Sequence, residues 1–164
     1  MRSARFERAY AAHYEPIFAY VLRRTDSVQD ASDVVADVFL TAWRRVEDMP
    51  DGEEAILWLY GIARRVLANH ARSRRRYDRL AARVLATGTT STATEAPDPD
   101  GAVAAAFDRL RPEDQDILGL VAVEGLTPTE IARALGRPAV YVRVRLHRAR
   151  TRFARELNAE GIEV

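Results

Sequence analysis

The 164-residue sequence contains no cysteine, and this absence excludes several kinds of chemistry. Disulfides, thiolate zinc sites, iron–sulfur clusters and cysteine nucleophiles all require that residue, and a reducing cytoplasm is the simplest setting for a chain without it. The longest apolar runs are short and interrupted by arginine, so we expect no membrane span. The first residues lack the apolar stretch of a secretory signal, so we expect no such signal either.

Lysine is also absent, so all 25 basic residues are arginine, and they are unevenly distributed. Residues 62–86 contain eight arginines and one acidic residue, and residues 137–155 contain seven arginines and no acidic residue. Two separate basic blocks on a chain whose net charge is only +1 indicate two contacts with a polyanion. For either block alone, the alternative is a solvated, arginine-rich helix face.

Apolar residues at three- and four-residue spacing predict an all-α protein, because no part of the sequence has a strand pattern. We predict two small helical domains, at residues 1–86 and 102–158, and a short tail at 159–164. Residues 87–101 are rich in Thr, Pro and Asp and lack apolar periodicity. This composition predicts a flexible linker between the two domains.

The third predicted helix, from about Glu53 to Leu80, has an apolar side and a basic side. At 3.6 residues per turn, a stripe roughly 120° wide contains Arg64, Arg65, Arg72, Arg75, Arg76, Arg79 and Arg83. Arg74 lies outside this stripe. Acidic residues are not interleaved for i,i+4 support, so phosphate groups would relieve the repulsion. Trp58 lies at the edge of the stripe, where it could stack on an unpaired base or anchor the core.

Residues 127–153 have the pattern of a helix-turn-helix. Thr127-Pro128-Thr129-Glu130 combines a capping box with proline at the first helical position, and Gly136 ends that helix. In the next helix we predict a buried stripe of Val142, Leu146, Ala149 and Phe153. The arginines beside this stripe suit the major groove and its flanking phosphates, although αα-hairpins that bind no DNA share the spacing.

Three blocks of the sequence resemble the extracytoplasmic-function sigma factors of bacterial RNA polymerase. Residues 30–44, DASDVVADVFLTAWR, resemble the core-binding helix of that family. Residues 58–70, WLYGIARRVLANH, followed by the arginine run, resemble its promoter-melting helix. Residues 110–150 resemble its second domain. The blocks follow the order and spacing of the family and cover nearly the whole chain outside the linker.

The resemblance implies a transcription initiation subunit with no catalytic residue, cofactor, metal or small-molecule substrate. The first domain, sigma region 2, would dock on the clamp helices of the β′ subunit and melt the −10 element. The second domain, sigma region 4, would read the −35 element while resting on the β flap. The implied partners are core RNA polymerase, duplex and single-stranded promoter DNA, and an anti-sigma factor, in the bacterial cytoplasm at the nucleoid.

The same resemblance, together with the charge pattern, predicts two sets of site residues. The polymerase-binding residues are Asp30, Asp33, Asp37, Phe39 and Arg44. The DNA-binding residues are Trp58, Arg64, Arg65, Arg72, Arg75, Arg76, Arg79, Arg137, Tyr141, Arg143, Arg145 and Arg148.

Two other interpretations account for less of the sequence. A stand-alone helix-turn-helix regulator explains residues 102–158 but leaves the arginine stripe and the acidic core-binding pattern unexplained. An enzyme is disfavoured because His13, His70 and His147 lie on three different predicted helices, without paired carboxylates or metal-ligand spacing.

Overall fold

The computed structural model of the chain describes residues 2–84 and 99–162, without the side chains of residues 75, 77–84, 99 and 100. These ranges contain seven α-helices, one short 3-10 helix and no strand, so the all-α prediction is confirmed for them. The α-helices are α1 (Arg2–Leu22), α2 (Val28–Arg44), α3 (Glu54–Val84), α4 (Pro99–Asp108), α5 (Pro112–Ala122), α6 (Pro128–Leu135) and α7 (Ala139–Ala159).

The chain divides into two compact units, Met1–Gly88 and Thr89–Val164. Helices α1–α3 belong to the first unit and α4–α7 to the second. The predicted linker, residues 87–101, lies outside the described residues except at its last three positions, where α4 begins at Pro99 and not at residue 102. A proline suits the first position of a helix, and the alanines that follow it favour helix, so α4 begins earlier than the composition predicted.

In the first unit, α1 and α2 pack together and both pack on α3. Helix α2 begins after Ser27, whose hydroxyl accepts a hydrogen bond from the Asp30 N–H at 3.0 Å. After α2, the short 3-10 helix Val46–Asp48 leads to Gly52, whose φ of +65° allows the sharp turn into α3. This turn determines where the long basic helix begins.

In the second unit, α7 is the central helix and contacts α4, α5 and α6. Ile117, Leu120, Ile131 and Val142 are buried between these helices. The rings of Phe107 and Phe153 meet edge to face, with centroids 6.0 Å apart, and join α4 to α7. Because three helices cover one side of α7, its opposite side is left facing solvent.

Candidate nucleic-acid interface

Helix α3 presents an apolar side to the first unit. Leu59, Ile62 and Ala63 are buried, and the ring of Tyr60 lies 5.1 Å from the ring of Tyr20 on α1. With these residues in the core, the helical period turns the arginine stripe outward. The predicted division of α3 into two faces is therefore confirmed for the side chains that the structure describes.

The predicted DNA-binding arginines of α3 differ in exposure. Arg64 is half-buried, whereas the exposed side chains are those of Arg65, Arg72 and Arg76. Arg72 Nη2 donates a hydrogen bond to Asn69 Oδ1 at 2.8 Å, a neutral acceptor that leaves the guanidinium charge uncompensated. The side chains of Arg75 and Arg79 lie outside the described residues, so their roles stay predictions.

Arg74 has a different environment from its neighbours on α3. Its Nη1 lies 2.7 Å from Asp26 Oδ2, just before α2, and 3.1 Å from Asp30 Oδ2, in the first turn of α2. The helical period predicts Arg74 outside the basic stripe, and in the structure its guanidinium pairs with these two aspartates. Asp30, predicted to contact polymerase, is thus half-buried and already paired with Arg74 and Ser27.

Trp58 packs at the beginning of α3. Its half-buried ring lies against a small cluster of Ala9, Val46, Met49 and Ala55. The guanidinium of Arg45 is 5.9 Å from the ring centroid. Of the two roles that the sequence left open, these contacts favour the core anchor over base stacking.

The exposed side of α2 lacks two residues of the predicted polymerase surface, the half-buried Asp30 and the buried Phe39. Asp33, Asp37 and Arg44 are exposed, as expected for contact residues. Phe39 is only 5% exposed, and its ring packs against that of Tyr10 with centroids 4.7 Å apart. The expectation for Phe39 is therefore corrected, because a ring that joins α1 to α2 is not available to a partner.

Leu40, which is not among the predicted polymerase-binding residues, lies on the exposed side instead and is 45% exposed. Asp33, Asp37, Leu40 and Arg44 recur at four-, three- and four-residue intervals, so they form one ridge on α2. The spacing from Asp33 could have identified Leu40 in the sequence. We name these four residues the α2 ridge.

Helices α6 and α7 form the predicted helix-turn-helix. The Thr127 hydroxyl accepts from the Glu130 N–H, and the Glu130 carboxylate accepts from the Thr127 N–H at 2.7 Å, which confirms the capping box. The Thr127 N–H and the Thr127 hydroxyl both donate to the Glu130 carboxylate, and these two bonds hold the pKa of Glu130 below its ordinary value. Gly136 ends α6 in the left-handed conformation, with φ of +60°, and so directs the chain into α7.

The predicted buried stripe of α7 is confirmed, because Val142, Leu146 and Ala149 are buried and Phe153 is half-buried. The other side of α7 carries the predicted DNA-binding residues. Arg145 is half-buried, and the exposed members are Arg137, Tyr141, Arg143 and Arg148. The Arg137 guanidinium lies 5.7 Å from the centroid of the Tyr141 ring, a cation–π distance.

Two ion-pair clusters in the second unit were missed by sequence analysis. Arg152 Nη1 lies 2.6 Å from Asp114 Oδ2, and Asp114 is only 1% exposed. Arg109 pairs with Glu160 and Glu156, which together raise its pKa. The partners are 38 or more residues apart, so no local spacing signalled them.

In the part of the chain that the structure describes, no helix is long and apolar enough to span a membrane. The same residues include no group of three or more His, Asp or Glu side chains that could hold a metal ion. The candidate functional surfaces of the described residues are the exposed arginines of α3 and α7 and the α2 ridge.

Two family models match the chain. Residues 9–77 match Sigma-70 region 2, and residues 100–153 match Sigma-70, region 4. The first match includes most of α1–α3, and the second includes α6 and the first two thirds of α7. The basic faces of α3 and α7 thus lie in two different matched regions.

Two curated proteins illustrate the relatives of the chain. It is 30% identical over 163 residues to the ECF RNA polymerase sigma factor BldN of Streptomyces coelicolor, covering 93% of this chain and 60% of BldN. It is 29% identical over 147 residues to the ECF RNA polymerase sigma factor SigL of Mycobacterium tuberculosis, covering 85% of this chain and 81% of SigL. The chain thus spans less than two thirds of the length of BldN.

A solved structure has the same fold. The sigma factor RpoE of Bartonella quintana, determined in complex with the anti-sigma factor NepR, matches with a TM-score of 0.67 and 19% sequence identity. The match covers 93% of this chain and 96% of RpoE. At this identity the likeness concerns the fold.

Proposed function

The chain belongs to the extracytoplasmic-function group of the sigma-70 family, and from this premise we propose that it is a transcription initiation subunit. It binds core RNA polymerase and directs the enzyme to specific promoters. The observation that carries the proposal is the presence of exposed arginines on both α3 and α7, in separate units. A stand-alone helix-turn-helix regulator would account for the second unit only.

The basic face of α3 contacts the −10 element during melting. Arg65, Arg72 and Arg76 are exposed and, among the described residues, make no ion pair with a carboxylate. Guanidinium groups that are exposed and have no carboxylate partner can neutralise phosphates as the strands separate. The sequence spacing alone assigns Arg75 and Arg79 to the same proposed face.

The exposed side of α7 contacts the −35 element. In helix-turn-helix proteins the second helix lies in the major groove, and its N-terminal residues contact base edges. Arg137, Tyr141 and Arg143 lie in or next to the first two turns of α7, and Arg148 lies one turn further on. We assign the first three residues to the groove and Arg148 to the groove or an adjacent phosphate.

The α2 ridge contacts polymerase, at the clamp helices of the β′ subunit. Asp33, Asp37 and Arg44 supply charge, and Leu40 supplies exposed apolar area at the middle of the ridge. Apolar area inside a polar rim is typical of protein contact surfaces. The second unit rests on the β flap, as the family resemblance implied.

An anti-sigma factor is the proposed regulator, and the bacterial cytoplasm at the nucleoid is the proposed location. The similar protein RpoE was solved in complex with an anti-sigma factor. A partner that covered the α2 ridge or the basic faces would compete directly with polymerase or promoter DNA. The chain has no proposed catalytic activity, cofactor or small-molecule substrate of its own.

Run-off transcription with core polymerase on a promoter library tests the function and identifies the promoter. We expect defined start sites only when the chain is added, and a stoichiometric complex with core polymerase on gel filtration. A stand-alone regulator would not form that complex. Absence of both the complex and initiation would refute the proposal.

A substitution on α3 tests the −10 role. Arg76→Gln should weaken promoter opening, detected as permanganate-reactive thymines, and reduce the log–log salt slope by about 0.7–0.9 if the guanidinium neutralises one phosphate. Arg8→Gln, which removes an exposed arginine from α1, is the matched control and should leave both measurements unchanged. Equal effects of the two substitutions would exclude a specific role for the α3 face.

A further inference from the structure

Helix α7 carries two exposed aliphatic side chains among its arginines. Val140 is 66% exposed and Val144 is 44% exposed, one helical turn apart in the first two turns. At 100° per residue, both valines point within about 30° of the direction opposite to the buried stripe. They therefore form the outermost ridge of the helix that the proposed function places on DNA.

The residues around these valines favour DNA over a protein as the binding partner. Arg143 flanks them on one side, and Tyr141 and Arg148 flank them on the other. Residues 137–155 contain seven arginines and no acidic residue, so phosphates are the complementary partner of this surface. An exposed valine also has lower helix propensity than alanine and gains no burial in the free chain.

We propose that Val140 and Val144 recognise thymine methyl groups in the major groove of the −35 element. This inference rests on the proposed function, because it requires α7 to enter duplex DNA. Thymine presents its C5-methyl group in the major groove, where apolar side chains contact it. The N-terminal turns of a recognition helix are the part that reaches base edges, and both valines lie there.

The spacing of the valines defines how many base pairs they cover. Residues four apart are about 6 Å apart along the helix axis. Successive base pairs are about 3.4 Å apart, so the two side chains cover two nearby base pairs. A valine side chain forms no hydrogen bond. A G·C pair beneath either valine would therefore lose hydrogen bonds to water at its major-groove edge and gain none from the protein. The ridge therefore selects A·T pairs whose thymines face α7.

Deoxyuridine substitution isolates the methyl contact, because uracil keeps every hydrogen-bonding group of thymine and lacks only the methyl group. The test uses holoenzyme formed from the full chain and core polymerase, bound to the promoter that the library selects. Each thymine of the −35 element is replaced in turn by deoxyuridine. From the transfer free energy of one buried methyl group, we expect binding to weaken about three- to fourfold at one or two positions.

Valine variants then assign the effect to the ridge. We call the fold loss of binding caused by each replacement the deoxyuridine penalty. In Val140→Ala and Val144→Ala, this penalty should approach onefold, which means no loss of binding, at the position that each valine covers. Val123→Ala is the matched control, because Val123 is 57% exposed and follows α5, outside the recognition helix. This control should keep the full penalty. Circular dichroism verifies that all three variants retain their helical content.

Three results would overturn the proposal while leaving the proposed function standing. The first is a selected −35 element without thymine. The second is a deoxyuridine penalty below about 1.5-fold at every position. The third is a penalty that neither valine substitution changes. A chain that selects no promoter at all would instead overturn the proposed function, and this inference with it.

Discussion

The ion pair between Asp114 and Arg152 gives a prediction about the stability of the second unit. Asp114 is only 1% exposed, Arg152 Nη1 lies 2.6 Å from its Oδ2, and its buried Oδ1 has no hydrogen-bond partner among the described residues. Arg152→Ala would leave a buried carboxylate without its counter-charge, a change that typically costs about 3–5 kcal/mol. Because the Arg152 side chain is about one third exposed, we expect the lower end of that range, about 3 kcal/mol.

Hydrogen exchange followed by mass spectrometry measures this loss in the full chain. About 3 kcal/mol corresponds to roughly a hundredfold faster exchange of the protected amides in α5 and α7. Both tryptophans, Trp43 and Trp58, lie in the first unit, so their fluorescence reports the unfolding of that unit. The urea midpoint of this fluorescence should be the same in Arg152→Ala and in the parent chain. This comparison shows whether the loss is confined to the second unit.

The matched control is Arg148→Ala, which removes an exposed arginine one turn earlier on α7. It should change the exchange rates little, since exposed surface substitutions usually fall within about 0.5 kcal/mol. Replacing both members of the pair with leucine should recover much of the lost stability, because no buried charge then remains. Equal effects of Arg152→Ala and Arg148→Ala would refute the structural role of the pair.

Three further predictions concern helix contacts and ends. Arg74→Gln should speed amide exchange at the contact between α3 and α2, because it removes two ion pairs. It should reduce the salt slope of DNA binding less than Arg76→Gln does. A larger reduction of the slope by Arg74→Gln would contradict this prediction. Gly136→Ala should destabilise the second unit by about 1–2 kcal/mol in thermal unfolding, because alanine is strained at φ of +60°. Glu130→Gln should have a lower free energy of unfolding than the parent chain at pH values above the ordinary glutamate pKa. This difference should vanish as pH falls through the lowered pKa of Glu130. A difference that does not depend on pH would contradict this prediction.

Local features of the fold were predictable because their causes are local. The hydroxyl of Ser27, the capping box at Thr127 and the left-handed turn at Gly136 each act within four residues. The buried stripes of α3 and α7 follow from a period of 3.6 residues that any window of the sequence contains. These signals determine where helices begin, end and face.

Long-range contacts were not predictable in the same way. The spacing along α2 could have separated Leu40 from the buried side, but only the packing of α1 shows that the ring of Phe39 meets that of Tyr10. The Asp114–Arg152 pair joins α5 to α7 across 38 residues. The sequence therefore identified the helix that carries each surface more reliably than the side chains within it.

Arginine content alone overstates the charge that each basic block offers to DNA. Arg74 belongs to the first block and Arg152 to the second, yet each contacts a carboxylate on another helix and so stabilises the fold. Arg76 and Arg148 are exposed and, among the described residues, have no carboxylate partner. The salt slope of DNA binding reports how many phosphates the protein neutralises. We therefore expect the slope to reflect the number of exposed arginines that have no carboxylate partner. A slope matching the full arginine count would mean that the internal ion pairs open when DNA binds.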